Sequence, residues 1–212
     1  MSTIKLKHTG GNSVSLNPPV NAPTSSDVAF KLPNTDGSAG QVLTTDGSGN
    51  LSWVTPATTN GITMFQRWVF TSNITFGSSW SVISTNLSAR SASIGSSMTQ
   101  SSGVFTFPST GIYKVSFYGQ WLDQYANNDY LGQEIQDSTD SGSNWTDRVQ
   151  GWQSQDSNMY TSQTISYIFD VTNVSTHKIR FRAQAQNSNA FLYGSTSTKD
   201  LNYFEFIRLG DT

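Results

Sequence analysis

A chain of 212 residues has room for one ordinary domain, roughly 100–150 residues, plus an appendage, so a sizeable core fits only once. Charged residues are 12% of the chain against a usual share of about 25%, and the formal net charge is −2; such a surface is polar but nearly neutral, with no basic field to hold nucleic acid. Aromatic residues at 12% argue against disorder of the whole chain, and the absence of cysteine removes both a disulfide frame and a thiolate metal site.

The N-terminal stretch STIKLKHTGGNS lacks the apolar core of a secretory signal, and no apolar run approaches a membrane span. The expectation is synthesis in a cytoplasm with no membrane insertion. Residues 1–60 hold five of the six prolines, and their apolar residues come in twos and threes between turn formers. Ile4 and Leu6 alternate with lysines, HTGGN turns, and Val14 and Leu16 alternate with serines, which is a hairpin pattern. NPPVNAP is an extended connector because proline fixes its own φ and restricts the residue before it. DVAFKLP, QVLTT and LSWV follow as strand-sized pieces. None can bury its apolar face in a segment this thin, so it is either a disordered tail or an arm completed by a partner. The run LPNTDGSAGQVLTTDGSGNLSWV repeats TDGS, and both copies, at Asp36-Gly37 and Asp46-Gly47, are expected to be turns between short strands.

From about Gly61 onward strand-like runs recur: ITMFQRWVF, WSVIST, GVFTF, GIYKVSFYGQWL, TISYIFDV, HKIRFRAQAQ and LNYFEFIRL. Their period is two. Tyr113, Val115 and Phe117 form one inward set; Ile165, Tyr167, Phe169 and Val171 form another; Ile179, Phe181, Ala183 and Ala185 form a third, against outward Arg180, Arg182 and Gln184. QYANNDYLGQEIQ is the nearest thing to a helix, and Asn127-Asn128 undercuts it. The pattern predicts an all-β head, a sandwich or jelly roll. In LNYFEFIRL both parities are apolar: Tyr203, Ile207 and Leu209 on one, Phe204 and Phe206 on the other. A strand apolar on both faces is covered on both: it is either a central strand of the sandwich or one with its second face in a subunit interface, and because a sandwich leaves outer faces wet the interface is the expectation.

The run Phe105 to Phe117, FTFPSTGIYKVSF, fits F-x5-G-x-Y-x-hydrophobic-x-F. It resembles the signature of the globular heads of the complement first component, which share the tumour-necrosis-factor-like jelly roll, with Val115 where an aromatic is usual. That resemblance covers about residues 61–212 and implies a homotrimer packed around the closing strands, with Tyr203, Phe204, Phe206, Ile207 and Leu209 at the interface. The N-terminal segment is similar to the leading segment of virion fibre proteins of marine phages, especially those of cyanobacteria. Its IKLKH opening and its LP-x-TDGS-x-GQ-x-L-x-TDGSG-x-L-x-W run carry that likeness. The resemblance implies a virion protein whose arm binds other virion proteins, with Ile4, Leu6, Val14, Leu16, Phe30 and Leu32 as the anchoring side chains.

Catalysis has little to work with. His8 and His177 have no cue linking them to a nucleophile, and two histidines without cysteine make a transition-metal site improbable. Asp123, Asp129, Glu134, Asp137, Asp140 and Asp147 fall in one long variable stretch. Paired carboxylates there could cleave a glycosidic bond, and DSTDSGSN could offer oxygens to calcium, but loop carboxylates are far more often simply solvated. Trp121, Tyr125, Tyr130, Trp145 and Trp152, set among Asn, Gln and Asp, are candidate contacts for sugar rings. The expectation is a homotrimeric fibre or knob on a phage particle: arm 1–60, head 61–212, no catalytic residue, no resident cofactor, and a host-surface glycan as target. The alternative is an architectural decoration or connector protein that touches only other virion proteins.

Overall fold

The computed structural model describes residues 4–7, 9–11, 13–16, 20–21, 29–56, 61–196 and 198–212. The chain forms two compact units, Met1–Thr58 and Thr59–Thr212, and every described regular element in both is a strand.

In the first unit β1 (Ile4–Lys7) and β2 (Ser13–Leu16) pair antiparallel, Ile4 opposite Leu16, as the alternation predicts. The side chains of Ile4, Leu6, Val14 and Leu16, and the whole of His8, lie outside the described residues. A second hairpin joins β3 (Val42–Thr45) to β4 (Leu51–Val54) across the second TDGS. Asp46 shapes that turn. Its carboxylate accepts hydrogen bonds from the Ser48 and Asn50 backbone N–H groups at 2.8 and 3.1 Å and from Asn50 Nδ2 at 2.6 Å, while Gly47 takes φ +78°.

The first TDGS does something else. No strand precedes it among the described residues; the chain turns two residues later, where Gln41 N–H donates to Ser38 O at 3.1 Å. Gly37, at φ +73°, is covered by the Trp53 ring, which a Cβ would meet at 2.7 Å, and Trp53 Nε1 donates to Thr35 O at 2.8 Å. The two copies are therefore a seat for Trp53 and the hairpin that delivers it, not two equivalent reversals.

The second unit is a two-sheet sandwich of β5 (Met64–Phe70), β6 (Ile74–Thr75), β7 (Ser81–Val82), β8 (Leu87–Ala89), β9 (Thr99–Ser101), β10 (Val104–Thr106), β11 (Gly111–Asp123), β12 (Asn128–Ser138), β13 (Thr146–Gln155), β14 (Met159–Val171), β15 (Lys178–Ala185), β16 (Phe191–Leu192) and β17 (Tyr203–Gly210). In one sheet β14 runs antiparallel along the whole of β11, whose other edge is shared by β17 and the short β16; β5 and β8 extend the sheet beyond β17, and β6 extends it beyond β16. The other sheet runs β13-β12-β15-β10-β9, with β7 also on β15.

The core lies between the sheets. Phe105 and Phe181 from one meet Phe70, Phe117, Phe204 and Phe206 from the other, and the Phe181 and Phe204 rings stack at 3.7 Å between centroids. The inward sets of β11, β14 and β15 are those the alternation predicts. The stretch between residues 128 and 155, read above as variable and loop-like, is instead two long strands, β12 and β13. Phe204 and Phe206 are fully buried within the monomer, so they do not belong to a subunit interface; only the Tyr203, Ile207 and Leu209 face of β17 is turned away from the core.

Candidate interaction faces

The sandwich turns two outer faces to its surroundings, and the register of each sheet decides which side chains they carry. On the β14-β11-β17-β5 sheet the outward residues include Ile168 on β14, Lys114 and Tyr118 on β11, Tyr203, Glu205, Ile207 and Leu209 on β17, and Phe65 and Arg67 on β5. Tyr118 and Tyr203 stack at 5.2 Å, the Arg67 guanidinium lies 4.4 Å over the Tyr203 ring, and Arg67 Nε donates to Glu205 at 2.8 Å. Burial beneath that stack pushes the Tyr203 hydroxyl above its usual pKa. Ile168 and Leu209 are more than half exposed, at 52% and 56%. Apolar and aromatic groups run along β17 and β5, with an ion-paired arginine and glutamate among them; toward β14 the same face turns polar, where the Ser116 and Ser166 hydroxyls bond at 3.0 Å.

The β13-β12-β15 face is built differently. Rows across the three strands place Asp147, Gln136 and Arg180 side by side, then Gln150, Glu134 and Arg182, then Trp152, Gly132 and Gln184. Glu134 is fully buried, accepting from Gln150 on one side and Arg182 on the other. Gln136 donates to Asp147 and accepts from Arg180 Nε at 2.6 Å. Aromatic rings lie over this polar floor: Trp145 is 4.1 Å from Arg180, Trp80 is 5.5 Å from Arg182, and Trp80, Trp152 and Tyr130 form an edge-to-face chain. Gly132 makes room for two of them, since a Cβ there would lie 2.8 Å from Trp80 and 3.1 Å from Trp152.

The acidic residues of this region are mostly spoken for. Asp137 faces the sheet interior and accepts from Arg148 Nε and from the Tyr167 hydroxyl, both at 2.9 Å; burial and then that bond push Tyr167 up to about 12. Asp140 accepts from Asn144 N–H at 2.9 Å, Asn144 Nδ2 at 2.7 Å and Ser138 Oγ at 2.7 Å, and these bonds hold its carboxyl at about 2. Asp123 caps the backbone of Tyr125 and Ala126. Among the described residues no group of three or more His, Asp or Glu side chains converges on a point that could hold a metal ion. His177 stacks on Phe169 at 5.5 Å, beside Thr172 and Thr176.

The five rings singled out from the sequence divide three ways. Trp121 is fully enclosed, edge-on to Phe76 at 5.4 Å, and is not a surface contact: its strand β11 is central, and Trp121 shares the parity of Phe117. Tyr125 is exposed in the loop between β11 and β12. Tyr130, Trp145 and Trp152 share the β13-β12-β15 face. The sequence reading missed Trp80 and did not assign Arg180 and Arg182 to a site. The outward parity of β15 was the available signal for the two arginines; nothing in GSSWSV marked Trp80.

No protein-family model and no curated protein matches the sequence. Solved structures do match the shape. Murine APRIL at pH 5.0 is 13% identical over 69% of this chain and 98% of its own, with a TM-score of 0.51. Eiger TNF from S. frugiperda is 12% identical over 72% of this chain and 96% of its own, with a TM-score of 0.53. The vertex protein P5 of PRD1, 12% identical over 71% of this chain and all of its own, overlays at 0.47, too loosely to argue from. At these identities the likeness is one of fold: the chain carries a tumour-necrosis-factor-like jelly roll.

Proposed function

We propose that the protein is a phage virion component, a homotrimeric fibre or knob fixed to the particle by residues 1–60, whose jelly-roll head meets a host-surface glycan. The observation that carries this reading is the division of the chain into a thin strand-built unit and a complete sandwich, each with uncovered apolar surface. In the first unit Phe30, Leu32, Val42, Leu43 and Val54 are all exposed, which suits a segment completed by other virion proteins. In the head, the outward face of β17 and its neighbours offers Phe65, Ile168, Tyr203, Ile207 and Leu209 to self-association. The sequence resemblances supply the trimer and the particle. Three heads on one stalk would also let weak glycan contacts sum to useful avidity.

Two measurements test it. Sedimentation of the full chain at micromolar concentration should give three chain masses; a monomer removes the assembly. Phe30→Asp with Leu32→Asp, in the full chain, should leave the trimer intact and remove the protein from purified particles. Retention at the normal copy number would remove the anchoring role of these two side chains. A wild-type protein that assembles into particles but binds no glycan would instead be the architectural connector.

A further inference from the structure

We propose that the glycan contact required by that function is the outer face of β13-β12-β15, and that its ligand is an uncharged, hydroxyl-rich saccharide lying between Trp152 and Trp145. The inference rests on the attachment reading and adds to it a place, a ligand class and a set of residues.

Charge comes first. Arg180 and Arg182 are matched on this face by Glu134 and Asp147, so it has no net field to draw a polyanion. The polar groups are nonetheless not used up. Among the described residues Arg180 makes one side-chain hydrogen bond, from Nε to Gln136, and no ion pair, which leaves its terminal amino groups to donate outward. Asp147 and Gln150 are exposed beside it. Donors and acceptors are thus interleaved and held in place by one another, which suits hydroxyls that both give and take hydrogen bonds.

The rings set the length. Trp145 lies over Arg180, which is opposite Gln136; Trp152 is opposite Gly132. Gln136 and Gly132 are four residues apart on β12, so the two ends of the floor are about 13 Å apart at 3.3 Å per residue. That is the reach of a short oligosaccharide. Trp152 is 48% exposed, which leaves ring surface open to the C–H side of a sugar. A protein partner fits less well, because interface centres are depleted of charge and this one is floored with it; the apolar β17 face has the protein-like character instead. Gly132 is what allows Trp80 and Trp152 to come down onto the sheet.

The test uses the full chain against immobilised neutral glucans, galactans and bacterial O-chains, with heparin as the polyanion. Wild type should retain at least one neutral glycan and be insensitive to heparin competition. Trp152→Ala and Trp145→Ala should each weaken retention about tenfold, the scale of one lost ring contact, while Trp152→Tyr keeps a ring face and keeps binding. Tyr160→Ala, at an exposed ring elsewhere, should leave it within about twofold. Without any variant, 5-fluorotryptophan-labelled protein should shift its Trp152 and Trp145 fluorine resonances on adding the retained glycan and leave those of buried Trp121 unmoved. Retention that survives both Trp→Ala changes, or that heparin abolishes, overturns this site while glycan attachment stands. If no glycan is retained at all, both fall.

Discussion

The two outer faces of the head are cut from the same kind of strand and solve opposite problems. The β17 face carries Phe65, Ile168, Ile207 and Leu209, with Arg67 stacked on Tyr203, and leaves apolar area uncovered. The β12 face carries paired charges and amides under tryptophans, and Glu134 there is more deeply buried than anything outward on β17. Apolar area without directional bonds suits a surface that meets its own copy, because burial is rewarded over many small contacts. A fixed lattice of donors and acceptors suits a ligand whose hydroxyls must be matched one by one. Burial on an outer face therefore means different things: on β17 it is partial, and on β12 the strand's own neighbours have already supplied it.

The sharpest way to break that contrast is to remove Glu134. Glu134→Ala takes from Arg182, whose side chain is 20% exposed, its buried partner and leaves it only Asp147 at 3.4 Å; the loss should cost about 3 kcal/mol, the low end for breaking a buried pair. A denaturant melt showing a loss below about 1 kcal/mol would make the ladder an ordinary surface pair. Gly132→Ala comes next. Its Cβ would press on both Trp80 and Trp152, and displacing the rings costs about 1–3 kcal/mol in overpacking; unchanged stability would show the rings to be loosely held. On the opposite face Ile207→Asp should do almost nothing to the monomer, within about 0.5 kcal/mol, yet abolish self-association in sedimentation. A variant that unfolds instead would place Ile207 in the core, against its position opposite Phe65 on the outward side.

The difference between the faces is also the difference between what the sequence discloses and what it hides. β11, β14 and β15 were legible because their inward positions are aliphatic or aromatic and their outward ones, Ile168 and Tyr118 apart, are mostly polar, so a period of two was plain in GIYKVSF and KIRFRAQA. β12 and β13 were not. NDYLGQEIQDS buries polar residues on both sides: Gln133 and Asp137 share the inward parity of Leu131 and Ile135, while Glu134 and Gln136 are buried outward. One of these departures, Gln133, has a counterpart on β14, and both are matched between the sheets. Gln133 lies over Gly119 and Gln163 lies over Gly151, each glutamine using space that any Cβ would fill. Such pairing depends on residues about 12 to 14 apart in sequence coming together across the sandwich, which no local window contains. The candidate rings fared accordingly: Tyr130, Trp145 and Trp152 do share a face, but their partners Trp80, Arg180 and Arg182 come from distant segments. Phe204 and Phe206 were misassigned for the opposite reason, since a strand apolar on both parities does not say which side is the monomer's own core.

The smallest effect concerns a motif common to both units. Asp46 with Asn50 and Asp140 with Asn144 form the same clamp, in DGSGN and DSGSN: a carboxylate accepts the asparagine's backbone N–H on one oxygen and its side-chain amide on the other. One clamp closes the β3-β4 hairpin and the other the turn from β12 to β13. Because both oxygens are engaged by the chain itself, the charged form is favoured and both carboxyls titrate below their usual value, Asp140 at about 2. A carboxyl whose folded pKa is depressed contributes in full above the unfolded value of 3.8 and loses that contribution as pH falls through about 2. Both groups are fully exposed, so the expected consequence is local opening of two turns rather than loss of the sandwich. Carboxyl-detected NMR should give Asp140 a midpoint near 2, moved up toward 3.8 by Asn144→Ala, with amide exchange rising at Gly142 and Asn144 while β12 stays protected. An unshifted midpoint in Asn144→Ala would show that Ser138, not the asparagine, holds the turn, and the likeness between the two clamps would then be one of sequence alone.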